Sequence, residues 1–327
     1  MKSPAKILVI KLSAVGDFVL AFPAFERIRA AHKGAKITLL TTPPFEALAR
    51  QSPFFDRVET DGRPGSPTEW LSLVMRLRRE RYDRVYDLQN NDRTNLIFQA
   101  LRPFQPAWSG TAVGASLPHR NRERMTMHAL ERQAEQLRDA GIWPDAPIRP
   151  LSAPPPDIAW ILDKSPAARP AARPAGGIQR PTVILVPGSS EHRPEKRWPI
   201  ENYGRLAERL QAEGYDVVVV GGLQESALAR AIQRHAPRAR DLTGRTDFAQ
   251  IAALGAKAAL AVGNDTGPVH LIAAAGAPTI ALFSSASSPA LSAPRGHVTV
   301  FQAPDLKDVR VETVLAAALS LAWRPPA

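Results

Sequence analysis

The 327-residue chain contains no cysteine. Disulfides, thiolate nucleophiles and cysteine-based zinc sites are thereby excluded. It also lacks any stretch near the roughly 20 uninterrupted apolar residues that a membrane-spanning helix needs. Its start, Met1-Lys2-Ser3-Pro4-Ala5-Lys6, leads straight into a strand rather than into the apolar core of a signal peptide, so a cytoplasmic location is expected. The seven histidines, at 32, 119, 128, 192, 235, 270 and 297, show no His-x-His or His-x-x-x-His spacing. That spacing argues against a histidine metal site, and neither a metal nor a cofactor is expected. The loop after the first strand, Ser13-Ala14-Val15-Gly16-Asp17, carries no Gly-x-Gly-x-x-Gly, which weighs against a nicotinamide dehydrogenase.

What the chain does have is enough apolar composition, 44%, for a core in each of about two domains of ordinary size. The net charge of +11 is spread evenly, with +6 in residues 1–160 and +5 in residues 161–327. A nucleic-acid binder would concentrate such charge, so no nucleic-acid partner is expected. An even basic surface fits a peripheral contact with the anionic inner face of the cytoplasmic membrane or an anionic substrate, and equally an arginine-rich proteome.

Eight prolines fall between Pro150 and Pro181, a density no regular element survives. Residues 158–162 can form a helical turn or two, and 165–179 read as an extended or disordered connector. On either side, apolar strand-like runs alternate with amphipathic helical ones. The first half reads strand 7–10, helix 18–30, strand 37–40, helix 46–50, a short strand near Val58, helix 68–80 and strand 84–88. The second reads strand 183–186, helix 201–213, strand 217–220, helices 225–235 and 248–256, and strands 258–262 and 279–283. Continuous apolar strands separated by helices imply parallel sheets covered on both faces. The expected class is therefore α/β, with two Rossmann-like doubly wound domains facing a central cleft. The first spans 1–150, a proline- and alanine-rich linker 151–180, and the second 181–308.

In such sheets ligands bind beyond the carboxyl ends of the strands. Four unusual turns fall there: 13–17, 187–190, Gly221-Gly222, and Gly263-Asn264-Asp265-Thr266-Gly267-Pro268-Val269-His270. The last is a strand, a tight turn and a helix start. Thr266 can act as N-cap, Gly267 lets backbone approach a ligand, and Pro268 suits a first helical position. The free N–H groups and positive dipole end attract an anion such as phosphate, and Asp265 offers an acceptor to hydroxyls. Capping alone accounts for the same residues.

These motifs together resemble glycosyltransferase family 9, the ADP-heptose:lipopolysaccharide heptosyltransferases of the GT-B fold. Residues 6–17, with Pro23 in the following helix, are similar to the family's first strand and glycine-aspartate loop. Pro187-Gly188-Ser189-Ser190, Lys196-Arg197-Trp198-Pro199 and Asp265-Thr266-Gly267-Pro268-Val269-His270 resemble its three most telling blocks, in order and at suitable separations. The resemblance implies an acceptor domain first, a donor-nucleotide domain second, and a terminal segment, 309–327, whose helix returns toward the first domain. It also implies an inverting transfer of heptose from ADP-heptose to an inner-core lipopolysaccharide acceptor, without a metal.

On that resemblance Asp17 matches the proposed general base, beside Gly16; by itself it is equally a carboxylate at a helix start. Lys196 is the candidate cation for the departing diphosphate, with Ser189 and Ser190 as hydroxyl donors and the N–H groups at Thr266 and Gly267 completing an anion cradle. Lys196 also reads as a solvated loop lysine, with Arg193 and Arg197 able to replace it. Asp265 would hold donor-sugar hydroxyls or form an Asx turn, and His270 would touch the donor or be buried structurally. Glu225 would accept from ribose hydroxyls or serve its helix terminus. For the acceptor, the first domain offers Asp87 and Gln89 at a strand end, and Arg120, Arg122 and Arg124 in a charged run that also suits a solvated loop. Residues 283–289 lack the Gly-Pro-Thr-Asp run of better-known members, which leaves the donor sugar open. A transferase using another nucleotide sugar for a surface glycan, or a catalytically silent sugar-nucleotide binder, are the competing readings.

Overall fold

The computed structural model describes residues 4–103, 105–163, 180–190 and 192–322. The connector read at 165–179 lies outside them. The chain divides into two compact units, Met1–Ala153 and Pro154–Ala327.

The first unit is built on six parallel strands: β1 (Lys6–Ile10), β2 (Lys36–Leu40), β3 (Arg57–Glu59), β4 (Arg84–Asp87), β5 (Ala107–Gly110) and β6 (Leu117–Pro118). They lie in the order β3-β2-β1-β4-β5-β6. The strand order reverses between β1 and β4, the point at which a doubly wound sheet opens a crevice at its carboxyl edge. Its helices are α1 (Val15–Val19), α2 (Phe22–Ala31), α3 (Glu46–Gln51), α4 (Pro67–Glu80), α5 (Asp92–Ala100) and α6 (Ala129–Asp139).

The single helix expected over 18–30 is two. Pro23 is the second residue of α2 and has no N–H to return to the preceding turn, so α1 stops and a new helix begins. Phe18, Phe22, Phe25, Phe45 and Phe54 form one aromatic cluster, in which Phe18 stacks on Phe45 with centroids 4.8 Å apart. A second core joins Leu8, Ile10, Val85 and Trp108 to Leu73 and Leu77 of α4 and Ile97 and Phe98 of α5.

The second unit repeats the plan. Its strands are β7 (Thr182–Val186), β8 (Asp216–Val219), β9 (Arg240–Asp241), β10 (Leu260–Asn264), β11 (Thr279–Phe283) and β12 (Val298–Gln302). All are parallel, in the order β12-β11-β10-β7-β8-β9. This is the first sheet's order counted from the opposite edge, so the reversal falls between β7 and β10. Its helices are α7 (Ala159–Leu162), α8 (Ile200–Ala212), α9 (Ser226–His235), α10 (Phe248–Gly255), α11 (Gly267–Ala274), α12 (Pro289–Ser292) and α13 (Val311–Leu321). The terminal helix α13 buries Val314, Leu315 and Ala318 in the core that holds Leu206 and Leu210 of α8. No helix among the described residues is long and apolar enough to cross a membrane.

Candidate active site

In each unit the unusual loops follow the two strands at the reversal of strand order. In the first, residue Leu12 after β1 and Gln89 after β4 meet directly: Gln89 Oε1 accepts from the N–H groups of Leu12 (2.9 Å) and Ser13 (3.2 Å). Asp87 is fully buried, and its Oδ1 accepts from the N–H groups of Gln89 (3.0 Å) and Asn90 (2.9 Å). Burial pushes its carboxyl up to about 6 against the opposing pull of those hydrogen bonds, of the Thr94 hydroxyl and of Lys11. Asn90 continues the brace, donating to Gln136 Oε1 (2.7 Å) and accepting from the Thr111 N–H (2.9 Å). Two residues expected to face an acceptor, Asp87 and Gln89, thus direct these oxygens into the loops' own framework.

Asp17 is the third residue of α1, half-buried, and Gly16 precedes it within the same helix. Its Oδ2 accepts from the Ala14 N–H at 3.3 Å, so the carboxylate is steadied by the loop it follows. Lys11 is buried behind this loop, with Nζ 3.4 Å from the Leu88 carbonyl. Burial lowers its pKa, Asp17 and Asp87 pull it up, and Arg132 of α6 pushes it down. Arg63 reaches in from before α4 and donates to Ser13 Oγ. Of the charged run, Arg120 and Arg122 are exposed, whereas Arg124 is half-buried and within electrostatic reach of Arg132 and Asp87. Lys11, Arg63 and Arg132 were not among the candidates. Lys11 directly follows an apolar strand, Arg63 sits in a glycine- and proline-rich loop, and Arg132 lies half-buried in a helix rich in polar residues.

In the second unit the loops after β7 and β10 are joined by Asn264, which is fully buried. Its Nδ2 donates to the carbonyls of Pro187 (2.8 Å) and Gly188 (3.2 Å). Its Oδ1 accepts from the Trp198 N–H and the Tyr203 hydroxyl, both at 3.0 Å. One amide therefore fixes the 187–190 loop, the 196–199 block and the start of α11 relative to each other. Trp198 packs edge-on against Tyr203 and donates from Nε1 to the Val309 carbonyl at 2.9 Å, a packing role.

With that frame set, Lys196 Nζ lies 2.7 Å from Asp265 Oδ2, and His270 Nε2 lies 3.8 Å from Asp265 Oδ1. The carboxylate retains 10% of its exposure. Burial would raise its pKa, but His270 and Lys196, by hydrogen bonding and charge together, bring it down to about 2. Asp265 is thus held ionised between two cation-capable groups. Thr266 stands at the cap position of α11 with extended backbone, yet its hydroxyl makes no capping bond. Gly267 opens the helix and Pro268, which has no N–H, is second, one place later than expected; the Val269 N–H donates to the Thr266 carbonyl at 3.1 Å, so the N–H groups of Thr266 and Gly267 are the ones left open at this end.

Ser189 is buried; its hydroxyl donates to the Arg193 carbonyl (3.0 Å) and accepts from Arg197 Nε (3.0 Å), while Ser190 is exposed. Arg193 pairs with Glu195 and donates to the Ala286 carbonyl at 2.8 Å, so of the three cations in this loop it is Lys196 that meets Asp265. Glu225 accepts from the Gly222 N–H at 2.7 Å and lies over Gly188 and Gly221, where any Cβ would collide with its carboxylate. Burial raises its pKa, partly offset by the Gly222 hydrogen bond and the charge of Arg197. His270 is buried one turn into α11.

Two Rossmann-like units of this strand order, each with its unusual loops after the strands at the reversal, are the plan of the GT-B fold. The model of glycosyltransferase family 9 (heptosyltransferase) matches residues 70–313, and the chain belongs to that family. It is 28% identical over 312 residues to lipopolysaccharide heptosyltransferase 2 of Escherichia coli K12, covering 89% of this chain and 86% of that protein. The solved E. coli ADP-heptose lipopolysaccharide heptosyltransferase II superposes with a TM-score of 0.75 at 25% identity, over 97% of this chain and 98% of the other. A family 9 glycosyltransferase from Veillonella parvula has the same fold, with a TM-score of 0.75 at 22% identity over 98% of both chains.

Proposed function

We propose that this chain transfers heptose from ADP-heptose to an inner-core lipopolysaccharide acceptor with inversion, working peripherally at an anionic membrane face. The similarity to a protein described as an ADP-heptose lipopolysaccharide heptosyltransferase supports the donor. The observation that carries the site is the Lys196–Asp265 pair at 2.7 Å beside the open start of α11. An incoming diphosphate competes with Asp265 for the Lys196 ammonium and takes the N–H groups of Thr266 and Gly267, and the released Asp265 oxygens accept from sugar hydroxyls. Glu225, bridging the glycine turns after β7 and β8, accepts from the ribose.

In the reaction the acceptor oxygen bonds to the anomeric carbon as the bond from that carbon to the phosphate oxygen breaks. Asp17 takes the hydroxyl proton, and ADP leaves with its new charge met by Lys196 and the helix terminus. Arg124 and Arg132 supply charge for the acceptor's anionic groups, with Arg120 and Arg122 nearby in sequence. Calorimetric titration with ADP, UDP and GDP, followed by transfer assays with ADP-heptose, tests this. Asp17→Asn should keep ADP affinity and lose on the order of 10² to 10⁴ in kcat. Lys196→Ala should weaken ADP binding. No preference for ADP would remove the donor assignment, and full turnover by Asp17→Asn would remove the base.

A further inference from the structure

We infer that the outer face of helices α4 and α5 is the surface by which this protein lies on an anionic lipid bilayer. The inference rests on the peripheral contact proposed above and names the face that makes it.

Both helices cover one side of the first sheet, with Leu73, Leu77, Ile97 and Phe98 pointing inward into a shared core. Arg78 ties their ends together, donating from Nε to the Ala100 carbonyl and from a terminal guanidinium nitrogen to the Arg102 carbonyl, both at 2.9 Å. Large apolar side chains remain on the outside: Leu71 is 61% exposed, Met75 40% and Leu96 59%. Leu71 and Met75 are four residues apart and stand one turn above the other on α4. Single exposed apolar side chains are ordinary, but here two share one face of α4 and a third stands on the outer side of α5.

The charge around the patch is mainly positive, with exposed Glu69 and Asp92 as the acids at the amino ends of the two helices. Arg78, Arg79, Arg81, Arg93 and Arg102 are all exposed on these helices or at their ends. Among the described residues no carboxylate forms an ion pair with any of them. Glu80, the nearest acid in sequence to Arg79 and Arg81, pairs instead with Lys6 and Arg57. Glu69 accepts from the Gly65 N–H at 2.7 Å. Where the helices end, a groove of about 580 Å³ opens between Leu77, Arg78, Arg81, Tyr82, Leu101 and Arg102. An apolar floor with arginines at the rim matches the phosphate and upper acyl region of an anionic phospholipid, since guanidinium groups grip phosphate bidentately while leucines enter the acyl boundary.

The placement also suits the chemistry. Asn91, two residues after Gln89, caps α5, and Arg63, shortly before α4, reaches Ser13. The amino ends of both helices therefore lie beside the loops assigned to the acceptor and the arginine-rimmed groove at their carboxyl ends, so it is a bilayer lying along the whole face that brings those loops to the headgroup region where a lipid-anchored sugar emerges.

Co-sedimentation of the full chain with vesicles decides the matter. Vesicles of phosphatidylglycerol in phosphatidylcholine should bind the protein, pure phosphatidylcholine should not, and raised salt should weaken binding. Each arginine near the surface is worth about fivefold, so the double variant Arg79→Glu/Arg93→Glu should bind at least about 25-fold more weakly. Leu71→Gln/Leu96→Gln should also lose binding, at every salt concentration. These positions are exposed, so circular dichroism and ADP affinity should stay those of the wild type. Wild-type binding by both double variants would overturn the α4–α5 face while leaving peripheral contact standing. Absence of lipid-selective binding by the wild type would overturn both, and capture of free glycerophosphate without vesicle binding would reduce the groove to a phosphate site and overturn the docking face.

Discussion

Asp265 is the residue on which charge in the second unit turns. Its carboxyl is held at about 2 against an ordinary value of 3.8, because Lys196 and His270 outweigh the penalty of burial. A carboxylate with a depressed folded pKa stabilises the fold above its unfolded pKa and loses that contribution as pH falls through the folded one. The shift corresponds to about 2 kcal/mol, present above pH 4 and lost toward pH 2. Asp87 acts with the opposite sign: raised to about 6, it costs stability as pH climbs from 4 to 6. The difference between wild type and Asp265→Asn isolates the first effect. In urea unfolding the variant should be about 2 kcal/mol less stable at pH 6 to 7, and the gap should shrink as pH falls below 4; a gap constant with pH would mean the pair adds no net charge stabilisation. Asp265 and Lys196 are singled out in the sequence by the resemblance of their blocks, each with an ordinary alternative, an Asx turn and a solvated loop lysine. Their direct pairing is not legible there, since 69 residues separate them and only the reversal between β7 and β10 brings their loops together.

At the scale of elements, the loops are positioned by buried polar side chains and by close backbone approach. Asn264 makes four hydrogen bonds from full burial, and Gly263 beside it leaves no room for a Cβ between Val269 and Val186. Asn264→Ala would strand the Trp198 N–H and the Pro187 carbonyl in a dry core and leave the Tyr203 hydroxyl only its 3.4 Å bond to the Val186 carbonyl, at a cost of about 3 to 5 kcal/mol. Chemical denaturation should show that loss, with ADP affinity falling alongside, whereas Lys196→Ala should weaken ADP with little change in stability. A stability loss under 1 kcal/mol for Asn264→Ala would show that water replaces the amide and that the loops are held otherwise. The strands read from the sequence, such as β1, β7 and β11, are continuous apolar runs buried on both faces. The elements that escaped it have physical reasons to do so. β6 and β9 are two residues long and carry no period. α6 buries Glu131, Gln133, Glu135 and Gln136, polar residues that read as a solvated face until Gln136 is seen holding the Asp87 and Ser109 carbonyls.

At the scale of the whole molecule, the same strand order is used twice, and the two copies have diverged in what they place at the reversal point. In the first unit that point carries Lys11, Asp17 and a loop stiffened by Asp87, Asn90 and Gln136. In the second it carries an open helix start, an ionised Asp265 and Lys196. Each unit has its own core, so a ligand confined to one should leave the local stability of the other largely unchanged. A nucleotide bound only to the folded second unit stabilises it by about 2.7 kcal/mol at a hundred times its Kd. Hydrogen exchange with and without ADP should therefore show slower exchange in β7, β10 and the first turns of α11, about 10²-fold where opening is limited by that unit's unfolding. Exchange in β1, β4 and α5 should be unaltered. Slowing centred on β1 and the Asp17 loop would place the nucleotide in the first unit and reverse the assignment of donor and acceptor between the two sheets.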